Sequence, residues 1–245
     1  MSPDFLPRER LDCPDPANCP VAAKKLTHAA ISGTLPTTVL QADSEWFRIF
    51  NAVDDYATPN PGKGNSRFSP FDALSTGLRV PSMYLAETLE GALLETSFHD
   101  VPITAPREVS IATLHGMGHA HVRLPTDLVI ADLRDGALKS LGVSRSALAS
   151  SSREHYPCTR RVAKSIHASL PDAAGIVWHS RQAEINRRPE VKVLVIFGDR
   201  APVDRGDWEL VPNHSSFGAL LDGSGKLLVD RLADSLGVTL VDEIG

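Results

Sequence analysis

A chain of 245 residues exceeds a typical domain of ~100–150 residues and falls short of two full ones, so one large domain or a core with extensions is expected. Apolar residues make up 42% and charged residues 22%, enough to bury a core and too little like-charge repulsion to keep the chain disordered. Basic residues number 25 against 30 acidic ones, a net charge of −5, which is the wrong sign for a protein that lives on phosphate backbones, so nucleic acid is not an expected partner.

The first twenty residues, MSPDFLPRERLDCPDPANCP, carry acids and prolines where a secretory signal needs an apolar run. The strongly aliphatic run VLVIF at residues 193–197 is too short to span a bilayer. A cytoplasmic protein with no membrane partner is the expectation. Cys13, Cys19 and Cys158 are too few and too unevenly placed for a disulfide framework. The Cys13-x5-Cys19 pair lacks a second pair at zinc-site spacing, so no metal site is expected.

Residues 1–40 hold six prolines, Pro3, Pro7, Pro14, Pro16, Pro20 and Pro36, and read as an extension laid on the core, with one short helix over residues 21–31. Residues 45–50 (EWFRIF) predict a strand, with Arg48 on the face of Trp46 and Phe50, where a buried guanidinium needs a partner. Residues 54–77 are a loop rich in Gly, Pro, Ser and Asn. Its Gly62-Lys63-Gly64 does not follow the order of a P-loop. A short strand is predicted at 82–86, and Thr88 caps a helix running through LEGALLETSF. In that helix Leu89, Ala92, Leu93 and Thr96 form the buried stripe, and Glu95 has the small Gly91 and Ala92 beneath it, which leaves room for a ligand.

Strands are further predicted at 108–114, 128–133, 175–179 and 191–197, the last two central because they are almost continuously apolar. Helices are predicted at 136–149 and 157–170. His115, His119 and His121 are assigned to a loop around Gly116-Met117-Gly118, and Arg160-Arg161 and Arg187-Arg188 to solvated charge. Near the C-terminus a strand at 208–211, a hairpin over 221–226 and a last strand at 238–241 complete an α+β pattern without regular βαβ alternation.

Four stretches then occur in order: Trp46-Phe47-Arg48-Ile49; Ser66-Arg67-Phe68-Ser69; Tyr84, Ala86, Thr88, Ala92 and Glu95 in the pattern Y-x-A-x-[ST]-x-x-x-A-x-x-E; and Gly175 to Arg181, GIVWHSR. Together they resemble the RES-domain family, named for its arginine, glutamate and serine. The resemblance covers residues 41–200 and divides the chain into an extension (1–40), an NAD-binding core (41–200) and a C-terminal segment of the same domain (201–245). It implies mixed, mainly antiparallel sheets with flanking helices, similar to the ADP-ribosyltransferase fold. It also implies an activity that consumes NAD, with no further cofactor, commonly as the bacterial toxin of a toxin–antitoxin pair with an antitoxin protein as partner. A homodimer is left open.

The same resemblance carries the family's catalytic roles to Glu95, Arg67 and Ser180 and assigns NAD binding to Arg48, Arg67 and Tyr84, with Tyr56 as a second aromatic. Two features depart from the family: a longer chain, and Ser-Arg-Phe-Ser where Gly-Arg-Trp is frequent. The chemistry is coherent. Cleaving the nicotinamide–ribose bond builds positive charge on the sugar, which a carboxylate stabilises, while guanidinium forks suit the two phosphates. Water, phosphate or a protein side chain can then accept the ADP-ribose. A silent NAD- or partner-binding module is the reading from another class.

Overall fold

The computed structural model describes residues 5–15, 17–19, 21–102, 104–148, 153–202 and 204–242. In chain order these form α1 (Ala23–Ile31), β1 (Thr37–Leu40), β2 (Glu45–Asn51), β3 (Ser82–Ala86), α2 (Leu89–Leu94), β4 (Glu108–Ser110), β5 (Met117–Arg123), β6 (Leu128–Asp132) and α3 (Asp135–Ser140). There follow α4 (Tyr156–Ser169), β7 (Gly175–His179), α5 (Arg181–Ile185), β8 (Lys192–Phe197), β9 (Phe217–Ala219), α6 (Gly223–Leu236) and β10 (Thr239–Val241).

Eight strands make one sheet in the order β1-β6-β7-β8-β3-β2-β5-β9, and β4 pairs with β10 in a separate parallel pair. Within the large sheet only β6 and β7 run parallel. The fold is thus α+β and mainly antiparallel, as expected. The apolar β7 and β8 lie side by side in its interior, with Val177 opposite Leu194. Every residue of β7 is buried, which is why its sequence lacks the polar alternation of a half-exposed strand.

The two faces of the sheet are covered differently. Ile49, Ala86, Trp178, Val193 and Val195 face a core completed by helix residues, among them Leu26 of α1, Leu93 of α2, Val162 of α4 and Val229 of α6. Trp46, Phe50, Met83, Leu85, Val177 and Leu194 face a second core closed by Tyr56, Ala57 and Trp208 from irregular segments. Strand alternation alone assigns each side chain to one of these faces.

Several elements differ from the sequence expectation. The segment assigned to the extension supplies β1, whose β-branched Thr37, Thr38 and Val39 pair with β6 at the sheet edge; Met1 to Asp4, Pro16 and Pro20 lie outside the described residues. Residues 117–123 form a strand, β5, rather than a loop. Only Gly116 takes a positive φ, 70°, so the turn ends there and Gly118 continues into the ladder opposite Phe50. The expected strand at 108–114 stops at Ser110, whose side chain caps a 3-10 turn over Ile111–Thr113.

The helix expected over 136–149 ends at Ser140, and a 3-10 turn follows at Arg145–Ala147; Ala149 lies outside the described residues. Instead of a hairpin, the segment after Asp222 is α6, because the Asp222 side chain accepts the Gly223 N–H and starts a helix. Residues 208–211 contribute only an isolated bridge from Leu210 to Val122. The expected last strand forms, as β10, from residue 239.

Arg160 is not solvated. It is 2% exposed and donates to the carbonyls of Leu11 (3.2 Å) and Arg10 (2.8 Å) and to Asn65 Oδ1 (2.6 Å). The N-terminal segment therefore supplies acceptors for a cation buried at the surface of α4.

Candidate active site

Glu95 owes its place to the end of α2. Thr88 accepts the Gly91 N–H and starts the helix. Six residues later the helix stops, with Glu95 as its C-cap rather than an interior residue as expected. Thr96 Oγ1 donates back to the Ala92 carbonyl at 2.7 Å, and the Phe98 N–H turns to Leu93 O at 2.9 Å, drawing the fully buried Phe98 into the core. Polar side chains that compete for backbone groups end helices in this way.

Ser180 arrives from the other side of the sheet interior. It follows β7 directly and N-caps α5, accepting the Ala183 N–H at 3.1 Å. Its hydroxyl donates to Glu95 Oε1 at 2.5 Å. One serine therefore ties a strand end, a helix start and the carboxylate together. A short bond to an ionised acceptor is among the stronger hydrogen bonds.

Tyr84 of β3 projects on the same face. Its ring stands edge-on to Trp178, with centroids 5.9 Å apart. Its hydroxyl accepts from the Phe68 N–H (3.1 Å) and Ser66 Oγ (3.0 Å) in the preceding loop. Burial pushes this phenol above its ordinary pKa, and the bonds from Ser66, Ser69 and Phe68 offset part of the rise. Tyr84, Ile49, Ala92, Glu95 and Thr96 line a small, narrow hollow.

Arg67 is not among the residues that line this hollow. Its guanidinium donates to Leu148 O at 3.2 Å and lies 5.3 Å from the centroid of the Tyr156 ring. Thr159 of α4 hydrogen-bonds the Arg67 carbonyl. Tyr156, at the first position of α4, was missed by sequence reasoning. Burial pushes its phenol up to about 12, against the opposing charge of Arg67 and with Asp100, Glu95 and Tyr84 adding to the rise. Tyr156 is thus electrostatically close to three of the sequence-derived residues, Arg67, Glu95 and Tyr84. No motif marks it, because it is paired with them only through folding.

Arg48 and Tyr56, expected to bind NAD, are on the opposite face of the sheet. Arg48 follows Trp46 and Phe50 into the second core, donating to the carbonyls of Tyr56 and of Thr58, the latter at 2.6 Å. Burial lowers its pKa to about 10 despite Asp54 and Asp55. Tyr56 donates to Trp208 O at 3.1 Å. Alternation from Ile49, which lines the hollow, places Arg48 on the other side. Both are fixed in contacts within that core.

The segment after Glu95 borders the site. Gln182 donates to the His99 carbonyl. Asp100 pairs with Arg153 at 2.7 Å and His99 at 3.1 Å. Burial alone would raise Asp100, but the His99 hydrogen bond and the charges of His99 and Arg153 outweigh it and hold the carboxyl below its usual range.

The helix-covered face of an α+β sheet thus presents a carboxylate, a serine and a tyrosine at one place. The RES-domain family model matches residues 41–212, and the chain belongs to that family. No curated protein matches it in sequence. Among solved structures, the crystal structure of the M. tuberculosis MbcT–MbcA toxin–antitoxin complex is similar with a TM-score of 0.53 and 14% identity, covering 86% of this chain and 98% of that one. Among the described residues no helix is long and apolar enough to cross a membrane.

Proposed function

We propose that the chain degrades NAD by cleaving the nicotinamide–ribose bond, with water or phosphate as acceptor, and that it acts as the toxin of a toxin–antitoxin pair. The observation that carries the catalytic part is the Glu95 carboxylate, held by Ser180 beside Tyr84 in a partly enclosed hollow. As the C–N bond breaks, its electron pair leaves with the nicotinamide nitrogen and the ribose becomes oxocarbenium-like. Glu95 stabilises that charge, and water, losing a proton to solvent, or phosphate then adds to the sugar carbon. Ser180 fixes the carboxylate oxygen, and Tyr84 offers a ring for the nicotinamide to pack against. Arg67 orders Tyr156 and the loop that holds the Tyr84 hydroxyl. Family membership and the likeness to a toxin from a toxin–antitoxin complex support the toxin role and an antitoxin partner.

As it stands the hollow has no room for even a water-sized molecule, against the ~300–1,000 Å³ of sites for small-molecule ligands. Admission of NAD therefore requires movement at its border. In the segment that follows Glu95, the Asp100–Arg153 pair has both side chains exposed, 39% and 58%, and exposed pairs contribute only ~0–1 kcal/mol. A weak tie of this kind permits opening.

Purified protein incubated with NAD should release nicotinamide, and Glu95→Gln should release it roughly 10²–10³-fold more slowly. Folded wild-type protein that releases none with either water or phosphate present would refute the proposal. NAD labelled in the adenosine part distinguishes the acceptor: label retained covalently on protein would replace this reading with protein ADP-ribosylation.

A further inference from the structure

We propose that Cys13, Cys19 and Cys158 form a three-thiolate site for a zinc ion, with the fourth coordination position open to an exchangeable ligand. The three sulfurs lie within 4.8 Å of one another, and those of Cys13 and Cys158 are 3.1 Å apart although the residues are 145 positions apart in the chain. Tetrahedral zinc with Zn–S bonds of ~2.3 Å needs sulfurs about 3.8 Å apart, so small side-chain rotations complete the site. The first two thiols are presented together by a turn in which Asn18 donates from its backbone and side chain to Asp15 at 3.2 and 2.9 Å. The third comes from the first turn of α4 and is buried.

The geometry favours a metal over a disulfide: a disulfide uses two sulfurs and strands the third, whereas a metal uses all three. A zinc ion displaces the thiol protons to solvent as each sulfur binds. Three thiolates on one Zn²⁺ leave a single net negative charge, and the cation to balance it is already present. Arg160 is buried, its hydrogen bonds go to neutral oxygens, and it lies close enough to Cys158 for the charges to interact. The other convergent trio, Asp135, His179 and Glu190, by contrast already holds a cation, Arg145, at 3.4 Å from Asp135 and 3.1 Å from Glu190.

The ion would staple the N-terminal segment to α4. Through Arg160 on Asn65 and Thr159 on the Arg67 carbonyl, α4 in turn grips the loop beside Tyr84. The inference does not rest on NAD turnover.

The test is to strip reduced, full-length protein with a chelator and titrate it with Co²⁺, then Zn²⁺. One Co²⁺ per chain should produce a thiolate-to-cobalt charge-transfer band in the near ultraviolet with tetrahedral bands in the visible, both abolished by one equivalent of Zn²⁺. Cys158→Ser should lose the charge-transfer band. Cys13→Ser and Cys19→Ser leave α4 untouched, so each should weaken the band while circular dichroism stays that of the wild type. Absence of the band in folded wild-type protein, its persistence in all three variants, or a Cys13–Cys158 disulfide found by mass spectrometry after zinc loading would overturn the proposal.

Discussion

Glu95 and Arg48 are both charged residues on or next to the central strands, yet they sit on opposite faces and carry different predictions. Replacing Glu95 with Gln keeps its shape and its contact with Ser180 but removes the charge. Nicotinamide release should drop by roughly 10²–10³-fold, with little change in the thermal midpoint. Arg48→Met should do the reverse: the carbonyls of Tyr56 and Thr58 lose a buried donor, so urea denaturation should show a loss of about 1–3 kcal/mol while turnover by folded protein is unchanged. His119, fully buried in β5, carries a pH prediction. Burial holds its imidazole below the ordinary value of 6.5. Below ~6.5 the unfolded chain therefore binds more protons than the folded one, so stability is full above that value and falls as the pH drops through it. His119→Leu should flatten this part of the profile when denaturation is compared at about pH 7.5 and about pH 5.5.

At the scale of elements, α2 is the piece that converts packing into site geometry. It approaches the strand end so closely that a Cβ on Gly91 would lie 2.4 Å from Val191 Cγ1. Gly91→Ala should therefore push the helix outward, lowering stability by ~1–3 kcal/mol and reducing NAD cleavage as well, because Glu95 rides on its last turn. Gly136 of α3 meets nothing within 4 Å. Gly136→Ala is the control, and should stabilise by ~0.5–1 kcal/mol without affecting turnover. Calorimetry together with the nicotinamide assay separates these outcomes. Much of this layer was legible in sequence: the Thr88 cap, the strands β2, β3, β7 and β8, and the core face of α4 follow from local propensity and periodicity. The strand β5 and the helix α6 were not, because glycines beside them mimic turns and only cross-strand pairing or helix packing reveals otherwise.

For the whole molecule, the N-terminal segment behaves as part of the domain. Arg79 of the loop donates to Leu6 O at 3.2 Å, and Arg160 relies on Arg10 and Leu11. Deleting residues 1–20 should leave buried guanidinium donors unmatched and lower stability by ~2–4 kcal/mol in urea, a larger effect than trimming a tail that only lies on the surface.

The order of motifs in the chain, from Arg67 through Tyr84 and Glu95 to Ser180, was sufficient by itself to determine the family and the α+β class and to nominate the residues of interest, because short-range patterns and residue identities survive without coordinates. It could not say which of those residues meet. That Ser180 holds Glu95, that Arg48 and Tyr56 turn away, that Tyr156 joins Arg67, and that three distant cysteines converge were decided only in three dimensions. The physical reason is that face and proximity depend on strand pairing and helix packing between segments far apart in sequence, and no local pattern records those long-range contacts.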